Sequence, residues 1–176
     1  MTGAQMSLDA EILEGFKEET AQLVLELTDI VEQLEEYDSP EMPKQLLSDY
    51  AQKIDRIMGT ANTLLVDSPE HKGLNRIAKL SGLCKTLGYT AAELDNRKLV
   101  PIFAAFWADT TEVTDNLVKA IADDEKSAKI AAEFSSVLQS RLEWLANKID
   151  AVEGKGVPMQ VVDNNAVDDL LAEFGI

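Results

Sequence analysis

The stretch LDAEILEGFKEETAQLVLELTDIVEQLEEY, residues 8–37, decides the fold class of this chain. Apolar residues recur in it every three or four positions, the spacing that places them on one face of an α-helix. The predicted inward positions are Ile12, Phe16, Leu23, Leu27, Ile30 and Leu34. Asp38-Ser39-Pro40 follows, and Pro43 hinders continuation, so the sequence predicts a first helix over Leu8 to Tyr37.

The same periodicity continues along the chain, and no alternating β-branched run indicates a strand. The further helices are predicted over Gln45 to Val66, Glu70 to Leu87 with Gly88 as C-cap, Leu99 to about Ile121 with Pro101 in the first turn, and Asp124 to Ile149, with a connection over Glu93 to Lys98. Their predicted inward positions include Leu46, Tyr50, Ile57, Cys84, Phe103, Trp107, Val137 and Leu145.

Long helices joined by short connections predict an all-α fold, an antiparallel bundle of four to five helices. The bundle is expected over residues 1–150, followed by a flexible linker over 151–164 and a short amphipathic helix over 165–176. The Gly- and Pro-containing stretch Gly154 to Pro158 indicates where the last bundle helix breaks.

The composition narrows the classes of partner. The formal net charge is -16, which disfavours nucleic acid and anionic membranes and favours a basic or metal-loaded protein surface. No apolar run approaches the roughly 20 residues of a membrane span, and no signal peptide is recognised. Cys84 and His71 are the only residues of their types, so neither a disulfide nor a zinc cluster is expected. A cytoplasmic protein without a metal or cofactor of its own fits these features.

The chain ends in NAVDDLLAEFGI, residues 165–176, hereafter the tail. Its apolar residues, Val167, Leu170, Leu171 and Phe174, recur at helical spacing. Its acidic residues, Asp168, Asp169 and Glu173, occupy the other side. A free helix of this length is marginal in water, so the apolar stripe requires a groove on its own bundle or on a partner.

Residues 16–23, FKEETAQL, and the stripe up to Leu34 resemble the first helix of a histidine phosphotransfer (HPt) domain of the CheA type. The resemblance covers about residues 8–121. The family carries His-x-x-Lys-Gly on its next helix, whereas the matching segment here is Asp55-Arg56-Ile57-Met58-Gly59. Asp55 stands in the place of the phosphorylated histidine, so the resemblance implies a receiver-docking bundle that has lost phosphotransfer. His71, at a helix start, is interpreted as an exposed residue and not as a substitute.

Gly59 has two interpretations: close approach of a partner, or close packing of two helices. The tail from Val167 onward is in turn similar to the C-terminal peptide of CheZ-type phosphatases, which docks as a helix on a phosphorylated CheY-type response regulator. This resemblance implies partner contacts by Val167, Asp168, Asp169, Leu170, Leu171 and Phe174. It also implies hydrolysis of the receiver's aspartyl phosphate, with Mg²⁺ brought by the receiver.

CheZ-type chemistry uses Asp-x-x-x-Gln on an exposed helix face, where the amide orients a water and the carboxylate binds a receiver lysine. Asp29 and Gln33 match this order and spacing. Gln52 and Asp55 form a rival pair on the HPt-like face, with Asn62 two turns further on. Acid–amide pairs at the same spacing recur at Glu18/Gln22, Glu112/Asn116 and Glu143/Asn147, so an ordinary solvated face is the alternative.

Three functions follow from these patterns. The first is a CheZ-like phosphatase that binds a CheY-type response regulator and hydrolyses its aspartyl phosphate. The second is a non-catalytic, degenerate HPt module that docks or sequesters a receiver domain. The third is a homodimer or larger helical scaffold in which the tail is exchanged between copies.

Overall fold

A computed structural model describes residues 8–154 and Ala172. Five α-helices and no strand occur within this part of the chain. They are α1 (Ala10–Glu35), α2 (Lys44–Asp67), α3 (Lys72–Leu94), α4 (Val100–Lys119) and α5 (Asp124–Glu153). The predicted all-α bundle is therefore confirmed. The linker beyond Gly154 and the tail apart from Ala172 lie outside the described residues.

The first four helices form a ring in which each contacts its two neighbours, and α5 packs on α4 and α3. The ion pairs Lys53–Glu26 and Arg56–Glu19 join α2 to α1 at 2.5 Å each. Residue numbers rise along one helix as they fall along the other, so α1 and α2 are antiparallel. No helix within the described residues combines the length and the apolar character needed to cross a membrane.

The centre of the bundle is an aromatic cluster between α2 and α4. Trp107 is fully buried and stacks on Tyr50 with ring centroids 4.1 Å apart. Phe103, one turn earlier on α4, packs against the same indole at 5.6 Å. These contacts fix α4 against α2 across the ring, because large aromatic side chains bury the most area per residue. The prediction that Trp107 is a core residue is confirmed.

Capping carboxylates, one glycine and one proline mark the ends of the helices. The Asp9 and Asp123 carboxylates accept backbone N–H groups at the starts of α1 and α5. Gly154, with φ of 78°, ends α5 where the sequence predicts a break. Since α5 runs to Glu153, the first residues of the predicted linker belong to this helix. Pro101 lies in the first turn of α4, as expected.

His71 is the N-cap of α3, and its Nδ1 accepts the backbone N–H of Leu74 at 3.1 Å. It is partly buried, so the interpretation of an exposed histidine is wrong, although its place at a helix start is confirmed. Burial lowers its pKa, because a partly desolvated imidazolium loses solvation, and this outweighs the opposing effect of Asp124. The neutral ring is also the form that can accept the capping hydrogen bond.

The predicted end of the third helix is wrong. Gly88 is buried inside α3, where an added Cβ would lie 4.0 Å from Tyr50 and Ala51 of α2. The helix continues to Leu94 and ends at Asp95, whose φ of 44° is the left-handed cap. The predicted connection over Glu93 to Lys98 is correspondingly shorter, and a 3₁₀ turn over Arg97–Leu99 leads into α4.

Three predicted inward positions also need correction. Ile12 and Val137 are 50% and 46% exposed, and Leu46 is only partly buried. In α1 the stripe continues from Phe16 to Leu13, three residues back, instead of to Ile12. In α2 Leu47 occupies the buried position predicted for its neighbour. In each case either a neighbouring residue takes the inward position, or the predicted residue lies at the edge of a helix face that is otherwise assigned correctly.

Candidate functional site

An exposed surface, polar except for one leucine, runs along the solvent side of α1. Leu25, Asp29 and Gln33 follow one another at four-residue intervals, and all three are exposed. We call these three residues the α1 outer face. The Gln33 side chain turns back along the helix, and its Nε2 donates to the Asp29 carbonyl oxygen at 3.2 Å. The acid and the amide are therefore neighbours on one face, as the spacing predicts.

The polar groups on this face remain available to a partner. Among the described residues, the Asp29 carboxylate has neither an ion-pair nor a hydrogen-bond partner. The Gln33 amide uses one N–H for the backbone contact, which leaves Oε1 to accept. An ionised carboxylate can bind a lysine, and an amide oxygen can accept from a water held in front of it.

A polar cleft lies on the adjacent side of α1, toward α2. Glu19, Gln22 and Glu26 of α1 face Lys53 and Arg56 of α2 there. The pKa of Glu26 is lowered, chiefly because Lys53 donates to its carboxylate and also because Gln22 does. These groups join the two helices. The acid–amide neighbours Gln22 and Glu26 are therefore already engaged, whereas Asp29 and Gln33 are available to a partner.

The structure does not bring the rival pair together. Gln52 lines the cleft between α1 and α2, where its Nε2 donates to Ser48 Oγ at 3.2 Å. Asp55 turns the other way and accepts a short hydrogen bond from Lys85 Nζ of α3. That bond raises the pKa of Lys85. Asn62 is exposed further along α2.

Lys85 also lies 5.9 Å above the Tyr89 ring, within the range of a cation–π contact. In the His-x-x-Lys-Gly motif the lysine belongs to the same helix, at the position that Met58 occupies here. In this chain a lysine also stands beside Asp55, but it comes from α3. Its carboxylate partner is already engaged by this contact. Consequently the HPt-like position of α2 presents an ion pair to solvent instead of an unpaired group.

Gly59 is exposed, and a Cβ added to it would meet no atom of the described part of the chain within 4 Å. The interpretation that this glycine allows two helices to pack closely is therefore wrong. Its other interpretation, close approach of a partner to α2, stays a prediction. The same holds for the tail residues Val167, Asp168, Asp169, Leu170, Leu171 and Phe174, which lie outside the described part of the chain.

Sequence reasoning missed two exposed apolar side chains beside these groups. Leu25 is 62% exposed next to Asp29, and Tyr89 is 57% exposed next to Lys85. The available signal for Leu25 was its position off the buried stripe, on the polar side of α1. The chain matches no protein-family model, no curated protein and no solved structure.

Proposed function

We propose that this protein binds a CheY-type response regulator in the cytoplasm and promotes hydrolysis of its aspartyl phosphate, as CheZ-like phosphatases do. The observation that supports this proposal is the α1 outer face, where a carboxylate with no partner among residues 8–154 and an exposed amide lie one turn apart. The rival pair supports it less well, because Asp55 is engaged by Lys85 and Gln52 faces a different helix.

The proposed chemistry needs little from this chain. The receiver supplies the aspartyl phosphate and its Mg²⁺. Asp29 accepts hydrogen bonds from a receiver lysine, which holds α1 against the receiver's active site. Gln33 Oε1 accepts a hydrogen bond from one water and aligns it with phosphorus. The water oxygen bonds to phosphorus, the bond from phosphorus to the aspartyl oxygen breaks, and the water proton leaves on the phosphate product or to solvent.

The tail is proposed to recruit the receiver. Its apolar stripe would dock as a helix on the receiver, while the linker keeps the receiver close to α1. Tethering of this kind raises the effective concentration to the millimolar range without any new contact at the reactive site. Binding through the tail and catalysis through α1 are thus separable contributions of one chain.

Phosphate release from a phosphorylated CheY-type receiver tests the catalytic part. Loss of a group that orients the reacting water costs on the order of 100-fold in rate, so Gln33→Ala should slow release by about that factor. Gln52→Ala is the matched control, with the same side-chain change on a neighbouring helix, and it should leave the rate within about twofold. Equal rates for wild type and Gln33→Ala would overturn the site assignment.

Deletion of residues 165–176 tests the recruiting part. The expected result is weaker receiver binding and a higher KM for phosphate release, with the midpoint of thermal unfolding of the bundle unchanged. A large loss of thermal stability would instead show that the tail packs on its own bundle.

A second candidate, a non-catalytic module that docks or sequesters a receiver, is favoured by the open surroundings of Gly59 beside the Asp55–Lys85 pair. A receiver docked there would contact α2 backbone directly, and Gly59→Arg would block it. Under this alternative Gly59→Arg abolishes binding, and wild-type protein binds the receiver without accelerating phosphate release.

A further inference from the structure

A second groove lies between α1 and α4, on the opposite side of α1 from the polar cleft. It is an open cleft of about 540 Å³. Its floor is formed by Ala21, Val24, Leu25, Thr28 and Ala108. Several of these side chains are small, and they leave the space between the two helices unfilled. Leu25, which also borders the α1 outer face, is the large apolar side chain on the floor that solvent reaches most.

The rim of this groove is acidic on both sides. Glu32 and Glu35 of α1 face Glu112 and Asp115 of α4 across the apolar floor. Lys119 is the single cation among the described residues that line the groove, and it pairs with Asp115 at 2.6 Å. The rim therefore carries a net negative charge, which selects occupants by charge as well as by shape.

The dimensions of the groove suit a helix. The lining residues of α1 run from Ala21 to Glu35, which corresponds to about 21 Å along a helix axis at 1.5 Å per residue. A four-turn amphipathic helix could lie along this length and bury an apolar stripe as a further member of the bundle.

Charge disfavours two otherwise obvious occupants of the groove. The chain beyond Lys155 contains no Lys or Arg and carries Asp163, Asp168, Asp169 and Glu173. The tail would therefore bring like charges to the acidic rim. A second copy of this chain, packed groove to groove, would oppose two acidic rims in the same way. Both arrangements cost energy relative to a basic occupant.

We infer that the α1–α4 groove is a docking site for a partner helix whose apolar stripe is flanked by Lys or Arg, distinct from the receiver proposed above. Apolar residues of the partner contact Leu25 and the small side chains on the floor. Its basic residues pair with the glutamates and the aspartate of the rim. The binding should weaken with rising salt, since the rim charges are near the surface.

The test uses the full chain and a synthetic amphipathic peptide of about 18 residues, with Leu on one helical face and Lys on the other. Fluorescence anisotropy in about 0.15 M salt measures its binding. The Leu/Lys peptide should bind, while a matched Leu/Glu peptide and a peptide of residues 165–176 should not. Binding of either acidic peptide in the groove, or dimerisation of the chain through it, would overturn the inference.

Paired variants distinguish the groove from general attraction to an acidic protein. Glu112→Lys, on the rim, should weaken binding of the Leu/Lys peptide by about tenfold, whereas Glu143→Lys, on exposed α5, makes the same charge change and should have little effect. Leu25→Ser should weaken binding, and Val66→Ser, at an 80% exposed position on α2, should not. Equal effects within either pair would contradict a specific groove. No receiver is present, so the outcome is independent of the phosphatase proposal.

Discussion

The two sides of the bundle use their polar residues differently. On the α2–α3 side, Asp55 is bound to Lys85, and beneath it Tyr50 stacks on Trp107 in the core. On the α1 outer face, the Asp29 carboxylate is exposed and unpaired in the described chain. Side chains engaged in helix contacts support the fold, whereas the acid and amide of the α1 outer face have the spacing proposed for catalysis and are available, within the described chain, to a partner. Gln52 and Asp55 are exposed as well, so the pairing of Asp55 with Lys85, and not solvent exposure, distinguishes the two acid–amide motifs.

The largest expected effect is on the free energy of unfolding, and it distinguishes the centre of the bundle from the α1 outer face. Trp107→Ala should lower the free energy of unfolding by about 3–5 kcal/mol, because it leaves a cavity beside Tyr50 and Phe103. Leu25→Ala, at an exposed position, should change it by less than about 0.5 kcal/mol. Urea denaturation followed by circular dichroism measures both. Similar losses in the two variants would remove the distinction between the two sides.

The next effect concerns Cys84, on the inner side of α3. Burial raises the pKa of its thiol to about 11, against a smaller opposing effect of the neighbouring Thr110 and Tyr50 hydroxyls. Native protein at about pH 8 should therefore react with a thiol reagent on the order of 100-fold more slowly than protein unfolded in urea. Equally fast labelling of native protein would show that the α2–α3 side opens readily.

A smaller effect is expected at His71, which caps α3. Its pKa is lower in the folded chain than in the unfolded chain, so the neutral ring stabilises the fold above about pH 6.5, and this contribution is lost as the pH falls through the folded pKa. His71→Asn retains a capping oxygen and cannot titrate in this range. The stability of wild type relative to His71→Asn should decrease between about pH 7.5 and pH 5.5. A constant difference in urea denaturation would contradict this.

The smallest effect, on the rate of phosphate release, should come from removing the ion pair between Lys85 and Asp55. Lys85→Met removes the ion pair but keeps a long apolar side chain over Tyr89. If the α1 outer face carries the activity, phosphate release should stay within about twofold of wild type. An increase in the rate would show that Asp55, once unpaired, is the carboxylate that binds the receiver lysine, and that the two sides have been assigned the wrong way round.

Sequence periodicity predicts the helices well because each one buries a stripe at 3.6-residue spacing. It predicts their ends less well. Gly88 looks like a C-cap, but it lies inside α3 on the side that faces α2, and the chain ends the helix at Asp95 instead. Leu13 packs against the core in place of Ile12 for a related reason, since both residues can extend the same stripe.

The candidate site was only partly predictable. The spacing of Asp29 and Gln33 was sufficient to place them on one face, because both belong to one helix. The pairing of Asp55 with Lys85 joins residues 30 positions apart and depends on the register of two packed helices, which an apolar stripe does not specify. For the same reason, the α1–α4 groove could not be recognised before the two helices were placed side by side.

The most direct test of the central claim maps the contact surface by backbone amide NMR. The labelled full chain is titrated with a CheY-type receiver activated by beryllofluoride, a stable mimic of the phosphoryl group. The amides around Leu25, Asp29 and Gln33 should shift or broaden, and those around Asp55 and Gly59 should stay in place. Perturbation centred on Asp55 and Gly59, with α1 unchanged, would contradict the claim that α1 meets the phosphorylated receiver.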